Sequence, residues 1–379
     1  MPSSIFSFDS FRKFEPCVPT TLLAVLAILG LMEMGVRSVS EERFASAGGW
    51  LGELPFVERE ILPKGAKPRY VFFGSSRTAA AVMPTLMEKE LGAEAGVVAN
   101  LALRGGRFNE AIQLYRQNRE VLRRAKTMFL GIDGWYLSTS PQGFTPRFRL
   151  NCRFGERLGI ASGKLLRPEH TKTGGSLAER TRRSQAALEN LREKLIYDGL
   201  FTMRIKSRYL GRALSEIFGQ KSKNQLHLDP FRRVFVNGVP ERGEPTVDPK
   251  VMRFLAEKYY RDFTVHPLFS ERLRELARLA AEDGVELVLF QLPNRRQFYE
   301  LIAADYSAEY ELHTRTLEAL AKELGLTLLQ WRRPKECGLE ESDYQNDFGH
   351  LADQGARKFS RFFGKLIRRR WSKQSRSGG

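Results

Sequence analysis

The apolar run Tyr70-Val71-Phe72-Phe73 stops abruptly at Gly74-Ser75-Ser76-Arg77-Thr78. Aromatic and β-branched residues favour a buried strand, glycine permits a sharp turn, and Ser75, Ser76 and Thr78 can cap a helix continuing through Met83-Leu91. Further along, Val97-Val98-Ala99-Asn100-Leu101 predicts a second strand, followed by a turn at Ala102-Leu103-Arg104-Gly105-Gly106. A helical period from Phe108 to about Arg124 places Ile112, Leu114, Tyr115 and Val121 on one side. Thr127-Met128-Phe129-Leu130-Gly131-Ile132 is a third strand, closed by Asp133-Gly134-Trp135. This alternation predicts a parallel sheet with helices on both faces.

The rhythm breaks over residues 136–265, where Gly143, Pro146, Pro168 and Gly174-Gly175 separate amphipathic pieces such as Ser176-Tyr197. Asp229-Pro230 and Asn237-Gly238 mark turns, and Val234-Phe235-Val236 suits a hairpin arm. No second α/β pattern restarts there, so the stretch reads as a long, mostly helical insertion of the kind that builds substrate-facing surface. The alternation resumes with a helix at Ser270-Asp283, a strand at Val285-Leu292 ended by Pro293, a helix from Ser307 to about Leu324, and a fifth strand at Thr327-Trp331. Asp347-Phe348-Gly349-His350 then leads into a last helix ending in Arg368-Arg369-Arg370.

At the amino end, Cys17 to Val36 is almost uniformly apolar, with Glu33 near its end. About 20 helical residues cover a roughly 30 Å hydrocarbon layer, so this segment can span a membrane once. Arg12 and Lys13 precede it, while Arg37 and Arg43 after it are offset by Glu41 and Glu42, which favours an amino terminus inside and the main domain outside. Ala45-Ser46-Ala47 has the form of a signal-peptide cleavage site but lies far past the apolar core, so an uncleaved anchor is preferred. The expected organisation is a cytoplasmic segment 1–16, an anchor 17–36, a Gly/Pro-rich linker 37–69, an α/β domain 70–367 and a basic tail 368–379.

Composition then narrows the partners. The 379 residues are 42% hydrophobic and include 26 phenylalanines, which excludes general disorder. The formal net charge of +17 favours an anionic neighbour, whether a membrane surface, an acidic polymer or nucleic acid. Neither an aromatic-studded RNA-binding sheet nor a helix-turn-helix is present in the pattern, so nucleic acid is not an expected partner. Cys17 sits at a membrane boundary; Cys152 and Cys337 can pair in an oxidising compartment or remain two unrelated buried thiols. No clustered Cys/His spacing calls for a metal, and no cofactor is implied.

A serine at the carboxyl end of the first strand makes Ser75 or Ser76 a candidate nucleophile, because ligands of open α/β sheets bind at that edge. Taken together, the serine after the first strand, the glycine turn after the second, Gly131-Ile132-Asp133 after the third and Asp347-x-x-His350 before the last helix resemble the SGNH (GDSL-type) hydrolase superfamily. The resemblance covers roughly residues 70–134 and 270–367. It implies a three-layer α/β/α sandwich around a mainly parallel five-stranded sheet of flavodoxin-like type, with Ser76 as nucleophile, His350 as base and Asp347 as its orienting acid. Ser76, Gly105 and Asn100 are the candidate oxyanion donors, and Ser75, Arg77 and Asp133 their neighbours. The family's usual third donor, an asparagine, is replaced by Asp133, and a common glycine by Ala102. An ionised Asp133 cannot inherit a donor role; protonation, orientation of Arg77 or Arg104, or replacement by Asn100 remain open. Arg77 itself suits either an anionic substrate group or a nearby carboxylate. His170, His227, His266 and His313 lie outside the matched blocks and read as surface or structural.

By that resemblance the chain is expected to be a membrane-anchored, periplasmic or extracellular serine acyltransferase or esterase of a bacterial inner membrane, acting on O-acyl groups of an envelope glycan. A membrane-bound O-acyltransferase would be its partner. A lysophospholipase or lipid esterase, and a non-catalytic envelope scaffold, are the alternatives.

Overall fold

The computed structural model describes residues 66–134, 136–137, 240–261, 263–265 and 267–371, the backbone of 228–229 and 234–235, and a few isolated positions before residue 66. The chain divides into two compact units, residues 1–47 with 155–222 and residues 48–154 with 223–379. Every element below belongs to the second. The expected anchor 17–36 lies outside the described residues except for Ala27, Ile28 and Leu31, as does most of the insertion. Among the described residues no helix is long and apolar enough to cross a membrane.

Five strands form one all-parallel sheet: β1 Tyr70–Phe73, β2 Val98–Asn100, β3 Thr127–Gly131, β4 Glu286–Gln291 and β5 Thr327–Gln330. Their order across the sheet is β2-β1-β3-β4-β5. The order reverses between β1 and β3, and the crevice outside the carboxyl ends of those strands is where such sheets bind ligands. The strands read as continuous apolar runs because both faces are covered.

Alternation along each strand divides the core. Tyr70, Phe72, Phe129, Val288 and Phe290 face one layer, made by α1 Ser76–Ala81, α2 Pro84–Leu91 and the carboxyl-terminal helix Asp353–Arg370. Phe363 anchors that layer, with ring centroids 5.4 Å from Phe72 and 5.2 Å from Phe129 in edge-on contact. On the other face α3 Phe108–Gln117 packs against the helix Pro267–Glu282, which also packs on β4.

Two expected helices are divided. The one expected to run from the serine turn to Leu91 breaks at Val82-Met83, because Pro84 cannot donate into a preceding helix and starts its own. The one expected from Phe108 to Arg124 stops at Gln117 and restarts as a single turn, α4 Arg119–Leu122. The next helices are α5 Pro249–Tyr260, α6 Pro267–Glu282, α7 Arg296–Asp305 and α8 Ser307–Glu323, with α9 the last, Asp353–Arg370. A domain end at 367 is too early: α9 continues through Arg370, and Trp371 is buried with its ring 5.4 Å from Phe129. Two short strands, Leu228–Asp229 and Val234–Phe235, pair antiparallel as the expected hairpin.

Candidate active site

Ser76 opens α1 directly beyond the end of β1. Gly74 turns the chain with φ 152°, and an added Cβ there would lie 2.3 Å from the Thr78 hydroxyl, so only glycine fits. Ser75 is the N-cap; its Oγ accepts the Arg77 backbone N–H at 3.1 Å. Ser76 follows as the first helical residue, where an N–H has no intrahelical acceptor.

His350 arrives from the loop between β5 and α9, 274 residues later, with Nε2 2.7 Å from Ser76 Oγ. Its Nδ1 is 2.5 Å from Asp347 Oδ2. The other oxygen of Asp347 accepts the backbone N–H groups of Gly349 and His350, each at 2.8 Å. Burial acts to raise the Asp347 pKa, but the bonds from His350 and the Gly349 N–H prevail and hold it below the usual carboxylate value. Asp347 is therefore both the former of this turn and the partner of the imidazole. The Ser76–His350–Asp347 chain has the connectivity needed to move a proton off a hydroxyl.

Asp133, beyond β3, is 3% exposed and turns away from any donor role. Its Oδ2 accepts the Ser75 hydroxyl at 2.6 Å and its Oδ1 accepts Arg77 Nη1 at 3.0 Å. Of the open readings for Asp133, orientation of Arg77 is the one the geometry supports. Arg77, 1% exposed, also donates through Nε to the Gly349 carbonyl at 3.2 Å and through Nη2 to the carbonyls of Pro293 at 3.0 Å and Leu292 at 3.3 Å. Its guanidinium lies 5.5 Å from the centre of the Phe348 ring. One planar fork thus ties together the ends of β1, β3 and β4 and the loop that carries His350. Its donors are engaged within the protein, so Arg77 is not the substrate-anion site considered from sequence.

Asn100 must be corrected. It is fully buried, and its amide nitrogen donates to the Val82 carbonyl at 2.9 Å and the Ala79 carbonyl at 3.3 Å, while its oxygen accepts from Ala102 N. It caps the break between α1 and α2 and has no spare donor for an oxyanion. Gly105 has φ 64° in the turn after β2, which packs against the serine turn: Leu103 N–H donates to the Gly74 carbonyl at 3.0 Å. A Cβ on Gly106 would lie 2.6 Å from the Gly74 carbonyl oxygen. The Tyr136 hydroxyl donates to the Gly106 carbonyl at 2.6 Å and steadies that turn.

Comparison with protein-family models and with curated proteins returns no match. The site therefore stands on its own geometry.

Two contributors carried no sequence signal. Arg295, with no exposed side-chain surface, donates Nη2 to the carbonyls of Glu341 at 2.9 Å, Tyr344 at 3.2 Å and Gln345 at 3.3 Å, bracing the His350 loop from behind. Its charge merely looked like one of many. Tyr259, on α5 within the stretch taken as insertion, places its ring 5.5 Å from Phe348. Burial first, then the charges of Asp133 and Asp347, push its hydroxyl up to about 12, so it stays a neutral donor beside the site.

Of the histidines outside the matched blocks, His313 is fully buried and held neutral, with burial pushing its pKa down to about 4; the other three lie outside the described residues. Cys337 is free and buried, and Cys152 lies outside the described residues. Among the described residues no group of three His, Cys, Asp or Glu side chains is placed to hold a metal ion.

Proposed function

We propose that the chain is a serine acyltransferase or esterase of SGNH type, anchored in a bacterial inner membrane and acting on O-acyl groups of an envelope glycan. The observation that carries the chemistry is the 2.7 Å contact between His350 Nε2 and Ser76 Oγ at the carboxyl edge of the sheet. The strand order β2-β1-β3-β4-β5, flavodoxin-like, agrees with it.

In this reading His350 takes the Ser76 proton as Oγ attacks the acyl carbonyl carbon, and Asp347 stabilises the imidazolium that forms. The Ser76 and Gly105 backbone N–H groups face the developing oxyanion. Collapse expels the donor alcohol, which takes the proton from His350, and leaves the acyl group as an ester on Ser76. His350 then deprotonates the accepting glycan hydroxyl, or water, and the ester is transferred or hydrolysed. The glycan, the membrane-bound O-acyltransferase that would supply acyl groups, and the anchor at 17–36 belong to the same proposal and rest on the sequence resemblance.

The test is labelling of the full chain with a fluorophosphonate, alongside release of acetate from an acetylated glycan. Labelling is expected in the wild type and absent in Ser76→Ala, with acyl release reduced at least about a thousandfold. Equal labelling of the two proteins would overturn the catalytic assignment and leave the non-catalytic scaffold. Release of long-chain acid from a lysophospholipid in preference to acetate would move the substrate to lipid.

A further inference from the structure

In a parallel sheet all amino ends of the strands share one edge, and here that edge is opposite Ser76. The chain enters it through Lys67 and Arg69, both exposed, immediately before β1. Arg123 and Arg124, exposed, and Lys126, half-buried, precede β3 on the neighbouring strand. The end of α9 reaches the same edge: the Lys126 ammonium donates to the Trp371 carbonyl, and Arg370 Nη2 lies 3.5 Å from the hydroxyl of Thr327, the first residue of β5. Arg368, Arg369 and Arg370 are exposed on that last turn. With strands about 4.8 Å apart, these cations gather at the amino ends of β1, β3 and β5, while β4 between the last two begins with Glu286.

Carboxylates on this edge are fewer. Glu94 and Glu286 are exposed there, and Glu120 pairs with Arg123 at 2.7 Å. The ion pairs Arg119–Asp283 and Arg274–Glu323 neutralise themselves. The opposite edge is mixed: Arg332, Arg333 and Lys335 alternate with Glu336, Glu340 and Glu341.

We propose that the cationic edge is a docking surface for the anionic headgroups of a lipid bilayer, holding the domain with Ser76 facing away from the membrane. A bilayer is favoured over a soluble polyanion because the chain enters the domain at this edge, about thirty residues after the apolar run 17–36. An anchored domain meets the lipid first where its tether arrives. Cations within a Debye length of an anionic leaflet are attracted, and the attraction fades with salt. The orientation would leave the candidate active site open to a polymer in the aqueous space. It rests on the anchor reading of 17–36, and not on catalysis.

Lysine footprinting of the full chain in nanodiscs tests it. Lys67 marks the cationic edge and Lys335 the opposite one. In discs containing phosphatidylglycerol, acetylation of Lys67 is expected to slow about fivefold relative to discs of phosphatidylcholine alone, with Lys335 unchanged. High salt and the double variant Arg368→Glu/Arg369→Glu should each reduce the difference. An unchanged urea-unfolding midpoint of that variant reports an intact fold, and the footprint needs no turnover. Slowing of Lys335 instead, equal slowing at both edges, or no dependence on phosphatidylglycerol overturns the docking surface. Protection of Lys67 by soluble polygalacturonate but not by anionic discs assigns the edge to a glycan and overturns the bilayer.

Discussion

At the scale of single residues, Asp133 is committed within the fold. Its two carboxylate oxygens accept from Ser75 and Arg77. Asp133→Asn is therefore expected to lower acyl release rather than raise it, because the amide gives Arg77 no charge partner. Asp133→Ala leaves a buried guanidinium uncompensated and should cost about 3–5 kcal/mol in urea unfolding. Arg77→Lys keeps the charge but not the fork that reaches Gly349, Pro293 and Asp133 together. We expect kcat to fall about ten- to a hundredfold with KM little changed, since misplacement of His350 affects chemistry more than binding. Asp347 sets the pH behaviour. Its pKa is depressed in the folded state, so its contribution to stability is complete above the unfolded value near 3.9 and is lost as pH falls through the folded one. Urea midpoints measured from pH 6 to 3 should drop more steeply for the wild type than for Asp347→Asn. The meeting of Ser76, His350 and Asp347 was anticipated through the family resemblance carried jointly by the serine turn and the Asp347-x-x-His350 block, not by any of the three residues alone. The role of Asn100 was not, since a buried amide and an oxyanion donor look alike until their acceptors are seen.

At the scale of elements, strands were easier to read than helix ends. Each strand was visible as an apolar run bounded by turn residues, and β1 falls where Tyr70–Phe73 predicts it. The break between α1 and α2 was missed because the pattern on both sides of Pro84 is helical, and what stabilises the break comes from distant residues. The Ser360 hydroxyl on α9 donates to the Ala81 carbonyl at 3.0 Å and accepts the Met83 N–H at 2.9 Å. Ser360→Ala orphans both groups and should destabilise by about 1–3 kcal/mol, read as a lower urea midpoint. A second prediction belongs to the His350 loop. A Cβ at Gly349 would lie 2.3 Å from Arg77 Nε, and that guanidinium is pinned by four acceptors. Gly349→Ala should therefore reduce fluorophosphonate labelling of Ser76 far more than it lowers thermal stability.

At the scale of the whole molecule, the fold class was legible because βα alternation survives a long interruption between β3 and β4. What fills that interruption was not legible in function: Tyr259 reaches the site from α5 although nothing in its neighbourhood of the sequence marks it. Cys337 reports on global opening. It is buried and free, and burial raises its thiol pKa, so it should react with a thiol reagent only when the domain unfolds. Reaction of native protein at the rate of a small exposed thiol would contradict that placement.

The separation of 274 residues between Ser76 and His350 has a consequence during synthesis. Arg77 finds its carbonyl partners only when residues 292, 293 and 349 have been made, so the serine emerges early and waits, without a base, for nearly the whole domain. Domains of this kind close late in translation because their contacts are long-range. A nascent or truncated chain ending before residue 350 lacks the imidazole that Ser76 Oγ contacts in the finished domain. The contact between Ser76 and His350 forms only after the last segment has docked.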